Sequence, residues 1–244
     1  MDELKSRIKR YWNWRSRSYG LDHEKSMETV RNWEKAFGSL AENSMGRSAL
    51  DIGTGTGQLA FYLSRSGFDV TAIDISSGMI ETAKMKADEF SLSIDFKTGD
   101  AEHLEFDDNT FDVVVSRNLV WTLPDPENAM KEWHRVLKPQ GRIIVSDGFW
   151  QNQTWSHFTR SCRKMFKGLL KNKSLVSLYF FLYYAGHFRS LPLYEGVRFS
   201  DVDGLMQNAG FRSISSYDIN RHFNINPYGF NGGAPPFFIA YADK

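Results

Sequence analysis

Ser48-Ala49-Leu50-Asp51-Ile52-Gly53-Thr54-Gly55-Thr56-Gly57 decides the fold of this chain. An apolar run that stops at three alternate glycines and continues into an amphipathic stretch, 58–66, reads as buried strand, tight turn and helix. Glycines in that turn let the backbone approach a ligand closely and direct free N–H groups at it. Outward from it, short apolar runs alternate with amphipathic segments, the pattern of parallel strands joined by covering helices. Residues 70–74 form the second strand and 78–90 its helix, 93–97 the third strand, and 111–116, rich in valine, the fourth. A helix over 126–137 begins at Pro126, where a missing N–H costs nothing, and Lys138-Pro139-Gln140-Gly141 ends it before a fifth strand at 142–146.

Beyond this core, residues 1–44 read as an N-terminal helical cap and 45–148 as the core itself. Residues 149–196 read as a helical insertion, and 197–244 as the completion of the sheet: a helix at 200–209 stopped by Gly210, then strands at 213–219 and 236–241 pairing antiparallel around a loop at 226–235. A chain of 244 residues that is 41% hydrophobic fills a core of this size. One cysteine, Cys162, excludes a disulfide framework and a zinc ribbon and points to a reducing, cytoplasmic setting. Charges in Met1-Asp2-Glu3-Leu4-Lys5 do not suit a signal peptide, and the apolar run 175–185 is about half the length of a spanning helix, so stable membrane insertion is not expected.

The turn alone leaves the ligand open, because Gly55-x-Gly57-x-x-Ala60 also satisfies a dinucleotide fingerprint and so admits a nicotinamide or flavin enzyme. Asp74, at the end of the second strand, suits the hydroxyls of a ribose in either case. Successive motifs narrow the choice. Asp51-Ile52-Gly53-Thr54-Gly55-Thr56-Gly57, then Gly99-Asp100-Ala101-Glu102, Ser116-Arg117-Asn118 and Val136-Leu137-Lys138-Pro139-Gln140-Gly141 follow one another in an order that resembles the class I S-adenosylmethionine-dependent methyltransferases, above all those of the ubiquinone and menaquinone type. The resemblance runs from about residue 49 to 147 and implies an α/β, Rossmann-like fold: a seven-stranded, mostly parallel sheet with helices on both faces, an antiparallel C-terminal end and a helical substrate cap.

It also implies roles. Asp51, Gly53 and Gly55, with Thr54 and Gly57, would hold the methionine end of S-adenosylmethionine, and Asp74 the ribose. Ile75 and Met79 would flank the adenine, Asp100 would meet its exocyclic amine with Ala101 and Glu102 alongside, and Arg117 would lie beside the cofactor. The chain departs from these relatives in Trp121, where a histidine is common, and in Gln140, where glycine is usual.

A methyl sulfonium is already activated, so the chemistry expected is in-line displacement onto a small-molecule acceptor, without a metal, leaving S-adenosylhomocysteine. Aromatic faces near the mouth suit such a cation: Tyr19 for the cofactor, and Tyr11, Trp121 and Trp150 with Arg15 for the acceptor. His157 and His187 are the candidate bases, whereas His134 sits mid-helix and is set aside. A lone cysteine disfavours arsenite as acceptor. From Gly148 to Tyr194 there is no acidic residue. That basic stretch reads as a solvated helix face or as a lid drawing in an anionic or aromatic small molecule; a net charge of +1 and the lack of an RNA-binding motif weigh against nucleic acid. The alternatives are a non-catalytic cofactor-binding protein and, behind it, a nicotinamide-dependent reductase; the oligomeric state is left open.

Overall fold

The computed structural model describes residues 2–16, 27–148, 188–218 and 237–244. In chain order they form α1 (Asp2–Arg15), α2 (Met27–Ala41), β1 (Ser48–Ile52), α3 (Gln58–Arg65), β2 (Asp69–Asp74), α4 (Ser77–Glu89), β3 (Asp95–Thr98) and β4 (Phe111–Arg117). A 3-10 turn (Val120–Thr122), α5 (Pro126–Val136), β5 (Leu137–Gly148), α6 (Phe199–Ala209), β6 (Arg212–Ser216) and β7 (Phe237–Asp243) follow. The expected seven-stranded sheet is present, in the order β3-β2-β1-β4-β5-β7-β6. β1 to β5 run parallel, and β7 pairs antiparallel with both β5 and β6.

Both faces of the sheet are covered, which is why its central strands read as unbroken apolar runs. Leu50, Ile52, Val114, Ile143 and Val145 face a core closed by α1, α5 and α6. Their neighbours Ala49, Val113, Val115 and Ile144 face the other, closed by α2, α3 and α4. Because β4 lies next to β1 on the side opposite β2, the connections after β1 and β4 leave in opposite directions and open a cleft at the carboxyl edge.

The fifth strand departs from expectation. It starts at Leu137, directly after α5, so Lys138-Pro139-Gln140-Gly141 lies inside the strand's span, and the pairing with β4 shifts between Phe111 and Val113. Gln140 takes φ +66°, a left-handed conformation that glycine adopts at no steric cost, so this position favours the glycine that the resemblance led one to expect. β3 and β6 are shorter than the sequence suggested, since only Asp95–Thr98 and Arg212–Ser216 find partners. Among the described residues, no helix is long and apolar enough to cross a membrane.

Candidate functional site

A pocket open to solvent lies over the carboxyl ends of β1, β2 and β4. Its floor is Gly53 and Gly55, its rim Asp74, and one wall Ile75 and Met79. Asp100, Ala101 and Glu102 bound it beyond β3, and Arg117, Asn118 and Leu119 beyond β4. Nine residues proposed from the sequence as cofactor contacts (Gly53, Gly55, Asp74, Ile75, Met79, Asp100, Ala101, Glu102 and Arg117) therefore meet at one cavity.

The glycine turn works differently from the expectation of free amides. Gly53 and Thr54 N–H both donate to Ile73 O at 2.9 Å, Gly57 N–H donates to Thr54 O at 3.0 Å, and Gly55 N–H donates to Asp74 Oδ2 at 2.9 Å. Folding back onto β2 and onto the turn itself consumes these donors, so what the turn offers is a floor without side chains. Gly53 (φ +70°) has no room for one: a Cβ there would lie 2.8 Å from Leu119 Cδ2. At Gly57 (φ +91°) it would lie 2.6 Å from Phe61 Cζ.

Asp51 does not reach the pocket surface. At 1% exposure it accepts from Thr54 Oγ1 (2.6 Å) and Ala60 N–H (3.0 Å), tying the turn to the first residues of α3. Thr54 and Gly57 likewise shape the turn from behind it. Asp74, 9% exposed, holds Gly55 N–H with one oxygen and Ser76 N–H (2.9 Å) with the other. Ser76, and not Asp74, caps α4, accepting from Met79 N–H at 3.1 Å. Burial pushes both carboxyls up to about 6, against the hydrogen bonds that favour their charge.

α1 lies across the adjoining wall, a contact that no motif announced. Lys5, Ile8 and Trp12 line the pocket, and Asn13 Oδ1 accepts from Ser76 Oγ (2.7 Å) and Gly78 N–H (3.1 Å) at the start of α4. Lys5 Nζ sits 2.6 Å from Asp100 Oδ2 and 2.5 Å from Glu102 Oε2. Glu102 is wholly buried and also accepts from Asp125 N–H at 2.7 Å, joining this loop to the start of α5. Trp133 of α5 completes the support, its indole N–H donating to Ala101 O at 2.9 Å.

Arg117 points away toward α2 and α3: its guanidinium stacks 4.9 Å over Trp33 and donates to Gln58 Oε1. Trp121 and Tyr11, expected at the acceptor, are core residues in the described structure. Each packs edge-on against Phe188, at 6.4 and 5.5 Å, and neither lines the pocket. Arg15, at the end of α1, does not line it either. Tyr19, Trp150, His157 and His187 lie outside the described residues. His134 packs edge-on against Phe211 at 4.9 Å, away from the cleft.

Asp147, near the end of β5, was not singled out from the sequence. It is fully buried, accepts from Gly148 N–H at 2.8 Å, and its Oδ2 has no hydrogen-bond partner among the described residues. Burial pushes its carboxyl up to about 7, against backbone N–H groups of Gly148, Trp121 and Val120. Its folded pKa lies above the unfolded value near 3.8, so between these values the folded chain holds a proton that the unfolded chain has released. The stabilisation on its account is full below about pH 4 and is lost as pH rises through about 7. Asp147→Asn is therefore expected to gain stability relative to the parent between about pH 5 and about pH 8, with the two melting curves diverging as pH rises. Parallel melting temperatures across that range contradict it.

The methyltransferase domain family model matches residues 50–145, the span that holds β1 to β5. A demethylmenaquinone methyltransferase from Renibacterium salmoninarum is 29% identical over 201 residues, covering 80% of this chain and 79% of that protein. One from Staphylococcus epidermidis is 38% identical over 122 residues; there the match spans about half of each protein. Among solved structures, a SAM-dependent methyltransferase from Aquifex aeolicus superposes with a TM-score of 0.62 at 18% identity, over 95% of this chain and 97% of that one. With the strand order and the pocket at the carboxyl edge in agreement with these matches, residues 50–145 are an S-adenosylmethionine-dependent methyltransferase domain, and the chain around it is similar to the quinone methyltransferases.

Proposed function

We propose that the pocket over β1, β2 and β4 holds S-adenosylmethionine and that the chain passes its methyl group to an aromatic small molecule of the quinone type. The observation that carries this reading is the convergence of Gly53, Gly55, Asp74, Ile75, Met79 and Asp100, from three successive strand ends, on one cavity. The cavity suits the cofactor: a floor without side chains, a carboxylate rim at Asp74 for vicinal hydroxyls, an apolar wall at Ile75 and Met79 for a flat base, and a second carboxylate, Asp100, where the base would end. When bound, the cofactor supplies a methyl group on a positively charged sulfur.

The chain's own part is to bind, orient and exclude water. Asp51 fixes the turn from beneath, Asp74 fixes it from β2, and α1 walls off the nucleoside side through Ile8 and Trp12. Leu119 and Leu123 give the side beyond β4 an apolar lining suited to an aromatic acceptor. No histidine lines the pocket among the described residues, and His157 and His187 stay as candidate bases. The relatives support the acceptor class, since those compared act on demethylmenaquinone by name. We also propose that residues 1–44 cap the cofactor and 149–196, which leave β5 at its carboxyl end, cover the acceptor.

Calorimetric titration with S-adenosylhomocysteine and NADH tests the cofactor: one-site binding of the first and none of the second is expected. Incubation with methyl-labelled cofactor and reduced demethylmenaquinone then tests the acceptor, with label expected in the quinone ring. Binding of NADH in place of the nucleoside overturns the reading; binding without labelled product overturns the acceptor class.

A further inference from the structure

Lys5 stands between two carboxylates at the nucleoside end of the pocket. Its side chain is 14% exposed, Asp100 Oδ2 is 2.6 Å from its Nζ, and Glu102 Oε2 is 2.5 Å away on the other side. Oε2 of the buried Glu102 faces the Lys5 ammonium, which is its counter-charge. Asp100 Oδ1 accepts from Glu102 N–H at 2.9 Å, which holds the two residues in one tight turn. The other titratable group facing them is His103, whose Nδ1 is 3.5 Å from both Asp100 Oδ2 and Lys5 Nζ.

Two carboxylates this close inside a protein wall do not both stay ionised without a cation between them. The state of Asp100 matters to a purine. An ionised carboxylate only accepts hydrogen bonds, whereas a protonated one also offers an O–H. An exocyclic 6-amino group donates; a 6-oxo group accepts. The charge state of Asp100 therefore sets which purine it welcomes.

We propose that Lys5 determines nucleoside specificity: by standing between Asp100 and Glu102 it keeps Asp100 an acceptor-only group and so selects a 6-aminopurine over a 6-oxopurine. The proposal rests on the reading that the adenine of S-adenosylmethionine meets Asp100. Lys5 acts through Asp100 and is a positioning residue. The local electrostatics run the same way: burial pushes the Asp100 carboxyl up, but the Lys5 ammonium, the Glu102 amide and His103 together hold it below its ordinary value.

The test compares binding of S-adenosylhomocysteine and its 6-oxo analogue, S-inosylhomocysteine, by calorimetry without turnover. The parent protein is expected to prefer the adenosyl ligand by about 30-fold or more, the scale of one charge-assisted hydrogen bond. In Lys5→Met the ratio is expected to fall below about 3-fold at the acid end of the measured range and to recover as rising pH ionises Asp100. Lys5→Arg restores the preference. Lys5→Gln, which keeps N–H donors and loses the charge, collapses it like Lys5→Met and serves if that variant fails to fold. Adding Glu102→Gln to Lys5→Met removes the repelling charge and brings the preference back. Equal weakening of both ligands at an unchanged ratio makes Lys5 a structural prop and overturns the proposal; tighter binding of S-adenosylhomocysteine to Lys5→Met makes it a competitor and overturns it too. If the parent protein binds neither ligand, the cofactor reading itself falls.

Discussion

Asp74→Ala is expected to lower the affinity for S-adenosylhomocysteine by at least about 100-fold. The carboxylate holds Gly55 N–H and Ser76 N–H at once, so it stitches the glycine turn to the start of α4 while its rim position offers acceptors to a ribose. Alanine removes the acceptors and leaves two amides to seek water in a site that is 9% exposed. A hydrogen bond to a charged group is worth about 1.5 to 3 kcal/mol, and losing two from the bound state reaches about 3 kcal/mol, or roughly 100-fold. Asp74→Asn, with one oxygen and no charge, is expected to fall between the two. Calorimetry on folded variants, checked by circular dichroism, decides it: affinity for S-adenosylhomocysteine within about 3-fold of the parent removes Asp74 from the site.

Trp133→Ala carries the largest expected loss of stability, about 3 to 5 kcal/mol. The side chain has no exposed surface and sits in the core that α5 shares with α1 and α6, so truncation opens a cavity that the sheet cannot collapse into. It also orphans Ala101 O, the carbonyl behind the nucleoside end of the pocket. Trp133→Phe separates these effects in large part: it keeps most of the apolar volume and loses the N–H, for an expected cost of about 1 to 2 kcal/mol. Urea unfolding measures both. A loss below about 1 kcal/mol for Trp133→Ala shows that the core does not depend on the ring.

What the sequence made legible follows from how local each signal is. The glycine spacing after a buried run fixed β1, the turn and α3 together, and the register of Asp74 at the end of the next strand placed its carboxylate on that turn. Asp100 and Ala101 were legible through order along the chain. The state of the turn's N–H groups was not, because the carbonyl that takes two of them, Ile73 O, belongs to the neighbouring strand. Lys5 and Asn13 were missed for the same reason: only the docking of α1 on the far end of the sheet brings them to Asp100 and Ser76. Trp121 and Tyr11 are the converse case: aromatic residues at a strand end and ahead of the sheet matched the pattern of a ligand wall, and in the described residues both pack against Phe188. Asp147 gave a readable hint, an acid closing a buried strand, and its confinement became apparent only with β7 laid against it.

The position of β7 between β5 and β6 has a bearing on how the molecule is made. Until Phe237–Asp243 has been synthesised, the outer edge of β5 offers bare backbone groups over Ile143 to Asp147, and the sheet lacks both ladders that β7 makes. On the ribosome the nascent molecule must therefore keep an adhesive border covered while the intervening residues emerge, and chaperone dependence should track that interval.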